Sequence, residues 1–79
     1  MPKSTFTADY RLFTTMLRQV REQAGITQVD LAKRLKQTQS YVSKVERGER
    51  RLDLVQLRWW CKGLGVSITT FVRDFDRQA

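Results

Sequence analysis

Among its 79 residues the sequence has no histidine, one cysteine (Cys61) and one proline (Pro2). The missing histidine removes the usual general base and the commonest metal ligand. No paired carboxylates in a plausible cleft, no phosphate-cradling glycine loop and no metal-ligand cluster make up for it. An enzyme is therefore excluded, and neither a metal nor a cofactor is expected. A lone cysteine cannot form an internal disulfide, and nothing points to an oxidising compartment. No apolar run approaches the roughly 20 residues of a membrane span. The opening MPKSTFTADY carries no apolar signal core. The expected location is cytoplasmic, and nucleoid-associated if the chain binds DNA.

What is present fits one small folded domain with a surplus of positive charge. With 41% hydrophobic and 29% charged residues, wholesale disorder is not expected, and the length suffices for a single core. Fifteen basic residues against eight acidic ones leave a net charge of +7, which favours an anionic partner. The surplus is uneven: residues 27–52 carry net +4, against +2 before them and +1 after.

That central stretch also holds the clearest pattern, ITQVDLAKRLKQTQSYVSKVERG, from Ile26 to Gly48. A first short helix is predicted over 28–35, capped by Thr27, with Val29, Leu31, Ala32 and Leu35 as its apolar positions. A second is predicted over 39–46, capped by Thr38 and ended by Gly48, with Val42 and Val45 on one face. Lys36–Gln37 is too short a connection for comfortable antiparallel packing, so the two helices should cross steeply, as in a helix-turn-helix. Around this motif (27–48), residues 1–8 read as a loose N-terminal arm and 9–79 as the domain. Asp9 would cap a first helix to about Ala24, with Phe13, Leu17 and Val20 inward and Leu12 and Met16 beside them. Asp53 would cap a fourth helix, about 54–63, with Leu54, Leu57, Trp60, Cys61 and Leu64 on one side and Gly63 and Gly65 ending it. Ser67 would cap a fifth, whose Ile68, Phe71, Val72 and Phe75 recur at helical spacing. The fold class is all-α, five short helices and no convincing strand.

Gln28, Ala32, Val42 and Val45, followed by Glu46–Arg47–Gly48, resemble the helix-turn-helix of lambda-repressor-like (Cro and XRE-type) DNA-binding domains. The resemblance runs from about Phe13 to Phe71 and takes in Arg21, Gly25, Thr27 and Leu64–Gly65–Val66–Ser67. It implies a compact five-helix domain and a sequence-specific regulator of transcription that binds double-stranded DNA, a dimeric repressor or controller protein on a palindromic operator. An antitoxin that binds its operator and a partner protein is the alternative. One position departs from the family, which usually has glycine in the turn where this chain has Lys36. A left-handed backbone there would strain Lys36 by about 1 kcal/mol.

On this reading the second helix of the motif enters the major groove by its N-terminal end. Gln39, Ser40 and Lys44 would face base edges, with Tyr41 and Ser43 at the margin: a glutamine amide can pair bidentately with adenine, and lysine can donate to guanine. By resemblance, Thr27, Gln28 and Arg47 touch the DNA backbone, helped at Gln28 by the helix N-terminus. Arg50 and Arg51, in the basic loop that follows, are further phosphate candidates. Arg21 and Glu46 match a family ion pair between the first and third helices. Trp60 reads as core and Cys61 as a small core residue. Trp59 and Val55, four apart on a flank where the family tolerates polar residues, are expected to form a homodimer interface.

Overall fold

The computed structural model describes the backbone from residue 3 onward and side chains from Thr7 onward. Its helices are α1 (Lys3–Gln23), α2 (Gln28–Leu35), α3 (Gln39–Glu46), α4 (Leu54–Leu64) and α5 (Ile68–Gln78), with no strand among the described residues. The architecture is the lambda-repressor-like five-helix fold that the sequence implied.

Local chemistry accounts for most of the helix boundaries. Thr27, Thr38, Asp53 and Ser67 each sit in extended backbone and accept a hydrogen bond from the amide three residues on, satisfying one of the donors a helix start leaves unpaired. Four helix ends share one closure, in which a left-handed residue folds two amides back onto the last turn. Glycine supplies it at 25, 48 and 65, and Lys36 supplies it after α2.

The start of α1 differs from expectation. The helix begins at Lys3, so residues 3–8 of the expected arm are helical and Asp9 lies within α1 instead of capping it. Neither glycine nor proline interrupts this stretch, and the helix is anchored further on. The Phe13 ring meets Tyr10 at 5.4 Å and stands edge-on to Phe71 and Phe75 of α5 at 5.9 and 6.2 Å. The first two residues of the arm, and the side chains of residues 3–6, lie outside the described residues.

Helix α1 packs on α3 and α5, α2 on α3 and α4, and α4 on α5. Leu17, Leu31, Leu35, Val42, Val45, Trp60 and Cys61 are completely enclosed between them. Trp60 is the largest, and its indole N–H donates to the Tyr41 hydroxyl at 3.2 Å, so its one polar group is satisfied inside the core. Burial pushes the Cys61 thiol above its usual range.

Three expectations about the core need correction. Val29 and Leu54 face solvent, and Gly63 does not end α4 but lies within it. A Cβ on Gly63 would stand 3.0 Å from Leu35 Cδ2 and 3.3 Å from Leu31 Cδ1. The missing side chain is what lets α4 approach α2 this closely. Arg34 of α2 then donates to the Gly63 carbonyl at 3.0 Å.

Candidate nucleic-acid interface

The turn between α2 and α3 sets the geometry of the exposed surface. Thr27 and Asp30 form a reciprocal cap at the start of α2, Asp30 N–H to Thr27 Oγ1 at 3.0 Å and Thr27 N–H to Asp30 Oδ2 at 3.4 Å. Hydrogen bonding to the carboxyl by the Thr27 side chain, and then by its backbone N–H, holds Asp30 below its usual range. At the other end Lys36 is left-handed (φ 54°, ψ 43°). Its N–H reaches the Lys33 carbonyl at 3.1 Å, and the Gln37 N–H reaches Ala32 at 2.8 Å. The chain therefore turns within two residues, and Thr38 caps the start of α3. Ala32, buried in the crossing, leaves room for it.

A buried polar cluster holds α3 in place. Arg21 of α1 donates through Nε to Glu46 Oε2 at 2.6 Å and through Nη2 to Oε1 at 3.0 Å. Its Nη1 takes the Ile26 carbonyl at 2.9 Å. The two side chains are only 10% and 3% exposed. One guanidinium thus joins α1, the turn before α2 and the last residue of α3, with bidentate geometry on the carboxylate. The hydrogen bond from Glu46 raises the Arg21 pKa further above its ordinary value. Gln28 of α2 joins the cluster by donating from Nε2 to Glu46 Oε1 at 3.1 Å. Gln39 in turn donates from Nε2 to Gln28 Oε1 at 3.4 Å.

With α3 fixed, its residues divide between two sides. Val42 and Val45 point into the core; Gln39, Ser40 and Lys44 are exposed on the other side, with Ser43 half-buried among them. Tyr41 does not join them. Its side chain is buried, its hydroxyl accepts from Trp60, and its ring carries the Arg50 guanidinium 5.1 Å from the centroid. The ring of Tyr41, expected at the margin of the base-reading face, packs between α3 and α4, where it meets Trp60.

The expected phosphate contacts are arranged around this face. Thr27 is exposed beside Gln28, whose amide is half-buried and committed to Glu46 and Gln39. Arg47, the C-cap of α3, is exposed; it donates to Glu49 at 2.6 Å and to Ser43 Oγ at 2.8 Å. Arg50 lies over Tyr41, and Arg51 lies over the Tyr10 ring at 4.1 Å. Two aromatic rings thus steady the basic loop, each cation over a π face. The polar chain through Gln28 was not visible in the sequence, because its members lie eleven and eighteen positions apart.

A second exposed surface lies away from α3. Leu54 (70% exposed), Val55 (78%), Trp59 (37%) and Val72 (43%) line an apolar groove between α4 and α5. The sequence singled out Val55 and Trp59 but assigned Leu54 and Val72 to the core. The α5 stripe is wider than the core can cover. Phe71 fills the buried side and Val72, one step round, is left outside.

Comparison with known proteins agrees with this geometry. A helix-turn-helix family profile matches residues 17–71. An XRE-family like protein from Pseudomonas syringae pv. tomato str. DC3000 is similar over 98% of this chain and 94% of its own, at 36% identity and a TM-score of 0.90. The restriction-modification controller protein C.Esp1396I is 29% identical over 87% of this chain and 91% of its own, with a TM-score of 0.79. The same figures hold for that controller solved as a tetramer in complex with its natural 35 base-pair operator. No curated protein sequence matches the chain.

Proposed function

The chain belongs to the Cro/XRE-type helix-turn-helix family, and from that premise we propose that it is a transcriptional regulator that binds double-stranded DNA sequence-specifically, as a homodimer on a twofold operator. It acts by occupying its site, without catalysis, as a repressor or controller protein. The observation that carries the reading is the outward face of α3. Gln39, Ser40, Ser43 and Lys44 have no part in the core, yet the buried Arg21–Glu46 pair holds their helix rigidly. A helix held in place with hydrogen-bonding side chains on its outward face suits a major groove. Thr27, Gln28, Arg47, Arg50 and Arg51 surround it as phosphate contacts.

One recognition helix reads only a few base pairs, too little to find a site among ~10⁶ or more competitors in a genome. Two copies whose helices sit one DNA turn (roughly 34 Å) apart would double what is read. The α4–α5 groove supports this arrangement, because a twofold interface is self-complementary and lets Trp59 and Val55 meet their own copies. Arg58, Lys62 and Arg73 line the groove with Asp76 as the one acid among them. The free dimer should therefore be weakened by like charge at low salt.

Titration of the protein onto a duplex selected from a random pool, and onto its scrambled counterpart, tests the reading. The selected duplex should bind with a Kd of about 10⁻⁸ to 10⁻¹¹ M at physiological salt, and the scrambled one at least about 10³-fold more weakly. Both should weaken steeply as salt rises. Equal affinity for the two duplexes would refute sequence-specific regulation.

A further inference from the structure

We propose that Glu46, a residue buried away from the DNA face, decides through Gln28 which end of the Gln39 amide is offered to DNA, and so makes that position read adenine in preference to guanine. The proposal rests on α3 being the base-reading helix, and adds a positioning residue to it. A carboxylate has acceptors only. Glu46 is 3% exposed and both its oxygens already accept from Arg21, so it meets Gln28 as an acceptor. Gln28 must therefore turn Nε2 towards it, as the 3.1 Å contact shows. That choice points Gln28 Oε1 the other way, towards Gln39. Oε1 can only accept, so Gln39 must in turn present its own Nε2, at 3.4 Å. Each amide has two possible orientations, and the fixed carboxylate at the inner end selects one for both.

The consequence is chemical. With one Nε2 proton spent on Gln28, Gln39 faces outward with one acceptor, Oε1, and one remaining donor. Adenine offers the complementary pair in the major groove, the N6 donor and the N7 acceptor. Guanine offers two acceptors, N7 and O6, and would set one of them against Gln39 Oε1. In the reverse orientation Gln39 would accept from Gln28 and turn both protons outward, which suits guanine. Glu46 rules this arrangement out. The same surface of α3 thus has a fixed polarity, imposed from a residue seven positions along the helix.

The test compares adenine with guanine at each position of the selected duplex, for the wild type and for Gln39→Ala, Gln28→Met and Glu46→Gln, with circular dichroism to establish that each is folded. Wild type should prefer adenine at one position per half-site by about 5- to 150-fold, the range of one good bidentate pair, and Gln39→Ala should erase that preference. Gln28→Met keeps the Arg21–Glu46 pair and the side-chain length but removes the amide. It should bring adenine and guanine to within about threefold while the preferences at other positions stand. Glu46→Gln, where it folds, should relax the preference as Gln28→Met does. If Gln39→Ala leaves every preference intact, the base-reading assignment itself falls. If Gln39→Ala erases the preference but Gln28→Met retains it in full, Gln39 reads DNA without the relay and the proposal is overturned.

Discussion

Breaking the Arg21–Glu46 pair from either side should cost stability unequally, and the inequality should depend on pH. In Arg21→Ala the Glu46 carboxylate, 3% exposed, loses both short bonds and keeps only the Gln28 amide. In Glu46→Ala the guanidinium keeps the Ile26 carbonyl at 2.9 Å, is 10% exposed and remains near Glu22. Removing one partner of a buried pair costs about 3–5 kcal/mol, mostly because the other charge is stranded. Arg21→Ala belongs at the upper end of that range and Glu46→Ala at the lower. The double variant strands no charge, so its loss should not exceed the larger single loss, a coupling of at least about 3 kcal/mol. The sign with pH follows from which charge is left. A stranded buried carboxylate is relieved by taking a proton, so Arg21→Ala should recover stability towards acid pH, whereas a guanidinium cannot be discharged there. In the intact protein the Arg21 pKa is raised. Its contribution is therefore complete below the usual arginine value, is lost only above it, and does not vary towards acid pH. Urea melts followed by circular dichroism at several pH values measure all of this. Additive single losses, or equal losses that ignore pH, would show that the pair does not carry the packing of α3.

Other substitutions test separate parts of the fold and surface. Lys36→Gly should stabilise by up to about 1 kcal/mol in a thermal melt, the left-handed strain relieved less the entropy glycine adds to the unfolded chain; a loss would mean Lys36 is not strained. Gly63→Ala should destabilise by about 1–3 kcal/mol, since its Cβ would press on Leu35 and Leu31, both fully enclosed; an unchanged melt would contradict the tight α2–α4 approach. Trp59→Lys should give a folded monomer that binds a single half-site without cooperativity, and an unchanged dimer in sedimentation would move the interface elsewhere. Lys44→Ala should alter which sequences are preferred, whereas Arg47→Ala should weaken all of them about alike. The same pattern for both across a panel of mutated sites would remove the distinction between base and phosphate contacts.

The sequence carried much of the fold because its boundaries are local chemistry. Thr27, Thr38, Asp53 and Ser67 each cap a helix through their own side chain, and both helices of the motif have the predicted bounds. What periodicity could not settle was which side of a mixed helix is covered. Leu54 and Val72 carry apolar side chains at positions that continue a stripe, yet lie beyond the reach of neighbouring helices. Gly63 looked like a stop because glycine often ends helices, whereas here the adjacent leucines of α2 require the missing side chain. The start of α1 was misplaced because Asp9 is a good cap in isolation, while packing of Tyr10 and Phe13 supports the helix before it. At the candidate interface, Tyr41 was drawn outward by its polar hydroxyl, and only the distant Trp60 accounts for its burial.

The account turns on α3 reading DNA as sequence, in two copies. The most direct measurement is the sequence and symmetry of the duplexes this protein enriches from a random pool. Two inverted half-sites centred about 10 base pairs apart, each with an adenine at a position that Gln39→Ala leaves free to vary, is the predicted result. Enrichment of no motif, or of one that keeps every preference when Gln39 and Lys44 are both replaced by alanine, would contradict it.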